Sequence, residues 1–162
     1  MEEVTAEAFR RAAGRFATGI VVVTTAADGQ QHAMTVNSFT SVSLDPLLVL
    51  FCAEKAARFH DAVLKSGSWG VSVLGQSGEA ASRWFATRGR PLSDQLAGFS
   101  WRQGDVCGAA LLEDAIATLE CVTVSVTDGG DHTVVIGEVK STSVTPGDVT
   151  PLLYYEGSYR TL

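Results

Sequence analysis

The stretch Met34-Thr35-Val36-Asn37-Ser38-Phe39-Thr40-Ser41-Val42-Ser43 carries a row of hydrogen-bonding side chains: Thr35, Asn37, Ser38, Thr40, Ser41 and Ser43. The same residues read as a β-strand, because Thr, Val and Phe dominate and neither Pro nor Gly interrupts. A buried polar group without a partner costs about 1–3 kcal/mol. The row is therefore either a half-solvated strand face or the lining of a site that supplies partners. A second cluster, Asp128-Gly129-Gly130-Asp131-His132, places an imidazole at the end of a glycine-rich turn, where backbone can approach a ligand closely. A bound planar cofactor would use both, with the scattered aromatics as cover: its heteroatom edge needs backbone and hydroxyl partners, its faces need apolar contact and its phosphate needs donors. Against this, a His beside a glycine turn is most often a solvated loop residue, and His32 and His60 read as ordinary.

Other chemistries find little support. His32, His60 and His132 are far apart and show no H-x-x-x-H or H-x-H spacing, so nothing points to a metal. No G-x-S-x-G elbow, G-x-G-x-x-G turn or P-loop occurs. The three cysteines, Cys52, Cys107 and Cys121, form no C-x-x-C, and Cys52 and Cys121 sit in apolar runs as reduced core cysteines do. A formal net charge of −6 with no Lys/Arg run disfavours a nucleic-acid surface and directs attention to small molecules or proteins. The acidic start MEEVTAEAFRRAAGRF contains no continuous apolar segment, so neither a signal peptide nor a membrane span is expected, and the compartment reads as cytoplasm.

The elements that must position these residues follow from periodicity. With 46% hydrophobic and 19% charged residues, the 162-residue chain is expected to fold as one domain over 1–162. Val4 to Phe16 has helical spacing at Phe9, Ala12, Ala13 and Phe16, with Thr5 as N-cap. Ile20 to Thr25 is a β-branched strand, Asp28-Gly29 a turn, and Asp45-Pro46 a turn between the polar run and the apolar run that ends at Cys52; together these read as an antiparallel meander. Ala56 to Lys65 reads as a short helix, Trp69 to Leu74 as a strand, and Glu79 to Ala86 as a helix bearing Trp84 and Phe85, with Thr87 to Gln103 as loop. Ala115 to Thr127 and Thr133 to Val144 form a long hairpin, and Pro151 to Tyr154 a last short strand. Six or seven strands, two or three short helices and no βαβ rhythm favour a mainly β, antiparallel Greek-key barrel over a doubly wound sheet.

In order and spacing, four motifs make the chain similar nearly end to end to the short-chain flavin reductases of the split β-barrel class, the reductase components of two-component flavin-dependent monooxygenases. They are Thr18-Gly19-Ile20-Val21-Val22-Val23-Thr24, the run Met34 to Ser43 with Asp45-Pro46, Gly130-Asp131-His132 with Ile136-Gly137-Glu138-Val139, and Pro151-Leu152-Leu153-Tyr154-Tyr155. The resemblance implies a homodimer that passes hydride from NADH to FMN or FAD and hands reduced flavin to an oxygenase. It implies that Thr35, Val36, Asn37, Ser38 and Ser41 line the isoalloxazine and ribityl groups. Cys52, Ala53, Lys55, Ala57 and Arg58 would lie along the approach to the phosphate, with Phe85 against the flavin. Gly130, Asp131 and His132 would bind NADH, His132 orienting the nicotinamide with no acid or base required. The chain departs from the pattern at Ala56 and Ala57, which stand where hydroxyls are common and leave Lys55, Arg58 and helix N–H groups as phosphate donors. The alternative is a non-catalytic flavin carrier or sensor of the same barrel class, and a third reading is a partner-binding barrel with no cofactor.

Overall fold

A computed structural model describes residues 4–162. In chain order the elements are α1 (Ala6–Ala13), β1 (Thr18–Gly19), β2 (Val21–Ala27), β3 (Gln30–Val36), β4 (Thr40–Leu44), β5 (Leu47–Glu54), α2 (Arg58–Ser66), β6 (Ser68–Leu74), α3 (Glu79–Ala86), β7 (Trp101–Gln103), β8 (Ala110–Leu112), β9 (Ala115–Gly129), β10 (His132–Val144), β11 (Leu153–Tyr155) and β12 (Ser158–Arg160). Thr5 caps α1 as its position suggests, its Oγ1 accepting from the Ala8 N–H at 3.1 Å.

Seven strands form one antiparallel sheet in the order β3-β2-β6-β9-β10-β5-β4. This order corrects two expectations. The polar run is not one strand but two, β3 and β4, broken at Asn37-Ser38-Phe39, and the meander is cut at the same place because β3 and β4 occupy opposite edges of the sheet. Strand propensity cannot register such a crossing, since Thr, Val and Phe suit either side of it equally. From Val36 to Thr40 the chain spans at most roughly 14 Å even when fully extended. The sheet must therefore roll until its edges nearly meet, and because they do not pair, the result is a split barrel. Ser38, within the crossing, extends the β4 side: its Oγ accepts from the Cys52 N–H at 3.0 Å, continuing by side chain the β4–β5 ladder that ends at Thr40 and Leu50.

The core lies on both sides of β2. Val21 and Val23 face the barrel interior with Phe51, Phe59, Val63, Trp69, Val71 and Val135, whereas Ile20 and Val22 face a second cluster with Leu74, Phe85, Leu96, Leu112 and Leu152. Burial on both faces explains why this strand is continuously apolar. Helix α2 buries Phe59, Ala62 and Val63 and packs on β2, β3, β5 and β6, closing one end of the barrel. Trp69 is fully buried, edge-on to Phe51 with ring centroids 4.8 Å apart, and its Nε1 donates to Thr123 Oγ1 at 3.1 Å. Gly137 is dictated by this ring, because a Cβ there would stand 2.4 Å from Trp69 Cζ2.

The β9–β10 hairpin is longer than expected and turns on Gly130-Asp131 alone. Gly130 has φ +78° and Asp131 is not left-handed, as in a type II′ turn with Gly first. The expected loop Thr87–Gln103 is irregular up to Ser100, but Trp101–Gln103 pairs with Ala110–Leu112 as β7 and β8. The last strand is part of a hairpin, β11–β12, that pairs with β1.

Glu120 on β9 is a nearly fully buried carboxylate, and its Oε2 accepts the backbone N–H groups of Val106 and Cys107 at 2.7 and 2.9 Å. Burial by itself pushes its pKa up. The N–H groups of Cys107 and Val106, the Cys107 thiol and the charge of Arg102 outweigh that and hold it below the ordinary range. The thiol remains protonated, pushed up to about 11 by burial first and by the neighbouring carboxylate. Since the folded pKa lies below the unfolded one, the stabilisation is present above the ordinary carboxylate range and is lost as pH falls through the lowered value. Glu120→Gln should cost about 1–3 kcal/mol at neutral pH and flatten the acid limb of stability, read by denaturant unfolding across a pH series. An unchanged acid limb would show that Glu120 does not carry it.

Candidate functional site

A cavity of about 490 Å³ opens where β3, the start of α2 and the end of α3 converge. Its lining includes Thr35, Ala57, Arg58 and Phe85 from the sequence expectation, and also His32, Glu54, Arg88, Arg90, Leu92 and Gln95. Helix α2 begins at its mouth. Ala57 is the N-cap and makes no side-chain cap hydrogen bond, so the positive end of the helix dipole is turned to the cavity without a competing hydroxyl.

Arg90 builds the wall. Its Nη1 donates to the Thr87 carbonyl at 2.9 Å, its Nε to Gln95 Oε1 at 3.3 Å and its Nη2 to the Ala33 carbonyl, while the guanidinium lies 5.5 Å from the centroid of the Phe85 ring. Gln95 is itself buried and donates from Nε2 to the Gln31 carbonyl at 2.7 Å. These bonds join the irregular segment after α3 to the β3 edge. Arg58 donates from Nη2 to the Arg90 carbonyl at 2.6 Å, and Arg88 pairs with Glu54 across the mouth. Burial first, then the charge of Arg58, lowers the pKa of His32 despite the Ala27 carbonyl and Asp28, so its ring is neutral at neutral pH.

Of the other residues singled out in the sequence, Thr35 and Phe85 line this cavity, whereas Val36, Asn37, Ser38, Ser41, Cys52 and Ala53 do not. Thr35 Oγ1 donates to the Ser82 carbonyl at 2.7 Å, leaving its lone pairs free to accept. Val36 and Ala53 turn their side chains into the barrel core, which leaves their backbone as the reachable part. Asn37 and Ser41 are exposed, and Ser38 and Cys52 are half-buried along the seam. Phe85 is buried at the cavity floor, its ring 5.0 Å from that of Phe99. Lys55 does not line the cavity. It pairs with Asp128, and its N–H donates to the Asp131 carbonyl at 3.0 Å, which ties the end of β5 to the hairpin tip.

Gly130, Asp131 and His132 sit at that tip. Asp131 Oδ1 lies 2.7 Å from His132 Nδ1, and this contact, together with the positive charge of the ring when protonated, lowers the pKa of Asp131. His132 pairs in register with Glu54, whose carboxylate holds Arg88. One residue therefore links the turn to the cavity mouth. His60 links the same strand to α2, with its Nε2 2.9 Å from Thr133 Oγ1 and its Nδ1 2.8 Å from Asp61 Oδ1. His32, Arg88 and Arg90 carried no usable signal in the sequence: His32 looks like any half-exposed strand residue, and the two arginines fall in the segment without periodicity.

Comparison with known proteins gives this arrangement its context. Residues 13–162 match the family described as the flavin reductase like domain. Relatives include the flavin-dependent monooxygenase reductase subunit HsaB of Mycobacterium tuberculosis, 40% identical over 152 residues that cover 93% of this chain and 79% of the relative. The NADH-dependent FMN reductase AsuE2 of Streptomyces nodosus subsp. asukaensis is 38% identical over 157 residues, covering 95% and 83%. Among solved structures, the NADH:FAD oxidoreductase SgcE6 of Streptomyces globisporus C-1027 superposes with a TM-score of 0.92 at 38% identity, covering 100% of this chain and 98% of that one. A split barrel with a cationic cavity beside its seam, matched over almost its whole length in sequence and in shape, belongs to the flavin reductase like family.

Proposed function

We propose that this chain is an NADH-dependent flavin reductase that reduces FMN or FAD and releases reduced flavin to a partner monooxygenase in the cytoplasm, where its three free cysteines stay reduced. The observation that carries the reading is that Thr35 at the end of β3, the uncapped start of α2 and the Arg58 guanidinium line one cavity, a set that offers hydroxyl and anion partners to a flavin nucleotide. When bound, the nicotinamide would supply the hydride and the flavin would accept it, chemistry that needs no protein acid or base, so the protein's contribution would be to hold and orient two rings.

In this arrangement Asn37, Ser38, Ser41 and the backbone of Val36, Cys52 and Ala53 line the ring along the seam. Thr35 accepts from the ribityl hydroxyls, Phe85 supports them from the floor, and the N–H groups that open α2 bind the phosphate with Arg58. Lys55 acts indirectly, by fixing the hairpin. Gly130 lets the turn approach closely, Asp131 orients His132, and the imidazole sets the nicotinamide against the flavin.

A second copy completes the assembly. The outward faces of β5 and β10 place Leu50 opposite Ile136 and Cys52 opposite Val134, with Leu48 alongside, all only half-buried. Helix α1 buries no residue and leaves Phe9 exposed, and Phe16 just beyond it is exposed as well. An eight-residue helix is marginal without packing, so these surfaces are read as halves of a homodimer interface. Sedimentation should give twice the chain mass, and a monomer at micromolar concentration would remove this part of the proposal.

Two substitutions test the site. Arg58→Ala should weaken FMN by about tenfold or more, in keeping with the 1.5–3 kcal/mol of a hydrogen bond to a charged group, and should leave riboflavin, which has no phosphate, almost unaffected. Equal losses in a fluorescence titration would place Arg58 outside the phosphate site. His132→Ala should keep flavin affinity yet slow anaerobic flavin reduction by NADH roughly thirty- to two-hundred-fold, the equivalent of about 2–3 kcal/mol of lost orientation. Wild-type rates at every NADH concentration would return His132 to an ordinary hairpin residue and favour a flavin carrier.

A further inference from the structure

Arg90 is half-buried, yet it faces no carboxylate. The ion pairs among the described residues join Arg88 to Glu54 but include neither Arg58 nor Arg90. The donors of Arg90 go instead to three neutral acceptors, the carbonyls of Ala33 and Thr87 and the side-chain oxygen of Gln95. Its own carbonyl accepts from Arg58 Nη2 at 2.6 Å, which brings a second guanidinium to the same stretch of backbone. The repulsion registers on Arg90, whose pKa is lowered by burial first and by the charge of Arg58 second. A buried charge ordinarily has an opposite charge as partner. Two like charges kept together without one leave a place for an anion.

Gln95 holds this arrangement. It is only 3% exposed, and its side-chain oxygen, its side-chain nitrogen and its carbonyl are all bonded. Oε1 accepts from Arg90 Nε at 3.3 Å, and Nε2 donates to the Gln31 carbonyl at 2.7 Å and to that of Leu92 at 3.4 Å. The Gln95 carbonyl accepts from Trp84 Nε1 at 2.8 Å. One residue thus ties together α3, the β3 edge and the chain around Arg90, and its amide does so without bringing a charge. A carboxylate in its place would accept from Arg90 equally well but would cancel the positive charge. Resting on the flavin reading above, we infer that Gln95 is a positioning and specificity-determining residue for the flavin phosphate. It fixes Arg90, and through the Arg90 carbonyl the Arg58 guanidinium, while leaving both positive charges to the anion.

Intact protein is titrated with FMN and with riboflavin by flavin fluorescence, for the wild type, Gln95→Met, Gln95→Glu, Arg58→Ala and the double variant of Arg58→Ala with Gln95→Met. Gln95→Met removes the hydrogen bonds and stays neutral. It should lower the FMN-to-riboflavin affinity ratio about threefold or more, and should lower it no further once Arg58 is alanine. Gln95→Glu keeps the acceptor for Arg90 and adds a negative charge, so it should lower the ratio at least about tenfold. Being of the same size as glutamine, it carries the test if the apolar variant does not fold. A merely structural Gln95 would weaken FMN and riboflavin alike in both variants, and that result overturns the inference. So does a Gln95→Met effect of full size in the Arg58→Ala background, which would cut Gln95 off from Arg58. Wild-type ratios in both Gln95 variants, with a lowered ratio in Arg58→Ala, overturn the inference and leave the flavin reading standing. An unchanged ratio in Arg58→Ala removes Arg58 from the phosphate site and takes the inference with it.

Discussion

Everything in this fold depends on the three residues that carry the chain from one edge of the sheet to the other. Asn37, Ser38 and Phe39 permit no more than a short crossing, so the sheet has to roll and the edges have to approach. Rolling gives β2 two buried faces and puts Trp69 and Phe51 inside. It also leaves a seam in which polar side chains stand beside backbone that no neighbouring strand uses. The row of hydroxyls and amides in the sequence is thus the mark of a boundary rather than of a strand, and the Ser38–Cys52 hydrogen bond shows how one member of the row substitutes for missing strand pairing.

The electrostatics are local. The chain carries a net charge of −6, yet the cavity collects three guanidinium groups, one uncapped helix start and a single carboxylate. Each arginine is already in use, Arg58 on a carbonyl, Arg88 on Glu54 and Arg90 on two carbonyls and an amide. The positive charge is therefore held in place before any anion arrives, which spares a ligand the entropic cost of ordering long side chains. An acidic exterior with a basic recess focuses attraction on the recess.

The sequence revealed what local pattern controls. β2, β5, β6, the β9–β10 hairpin, α2 and the cap at Thr5 all follow from periodicity, β-branching and turn residues, and Thr35, Ala57, Arg58 and Phe85 do line one cavity. It concealed what depends on long-range closure. Met34 to Ser43 looks unbroken because propensity has no term for a change of sheet edge. His32 looks idle because its neighbour Arg58 is far away in the chain, and Arg88 and Arg90 lie where no periodicity exists to place them. Lys55 looked like a free cation beside a helix, but the hairpin that claims it folds back from more than seventy residues further on.

The two walls of the cavity are built under different rules. One wall is the β3 edge and the start of α2, locked by ladder pairing and by a crossing too short to lengthen without unrolling the barrel. The other is the irregular segment from Thr87 to Ser100, fastened chiefly through Arg90 and Gln95. Surface segments of this second kind accept insertions and deletions at little thermodynamic cost. Descent with modification can therefore remodel one wall repeatedly while the other stays fixed, so that a barrel of unchanging architecture acquires new tastes in what it holds without relearning how to fold.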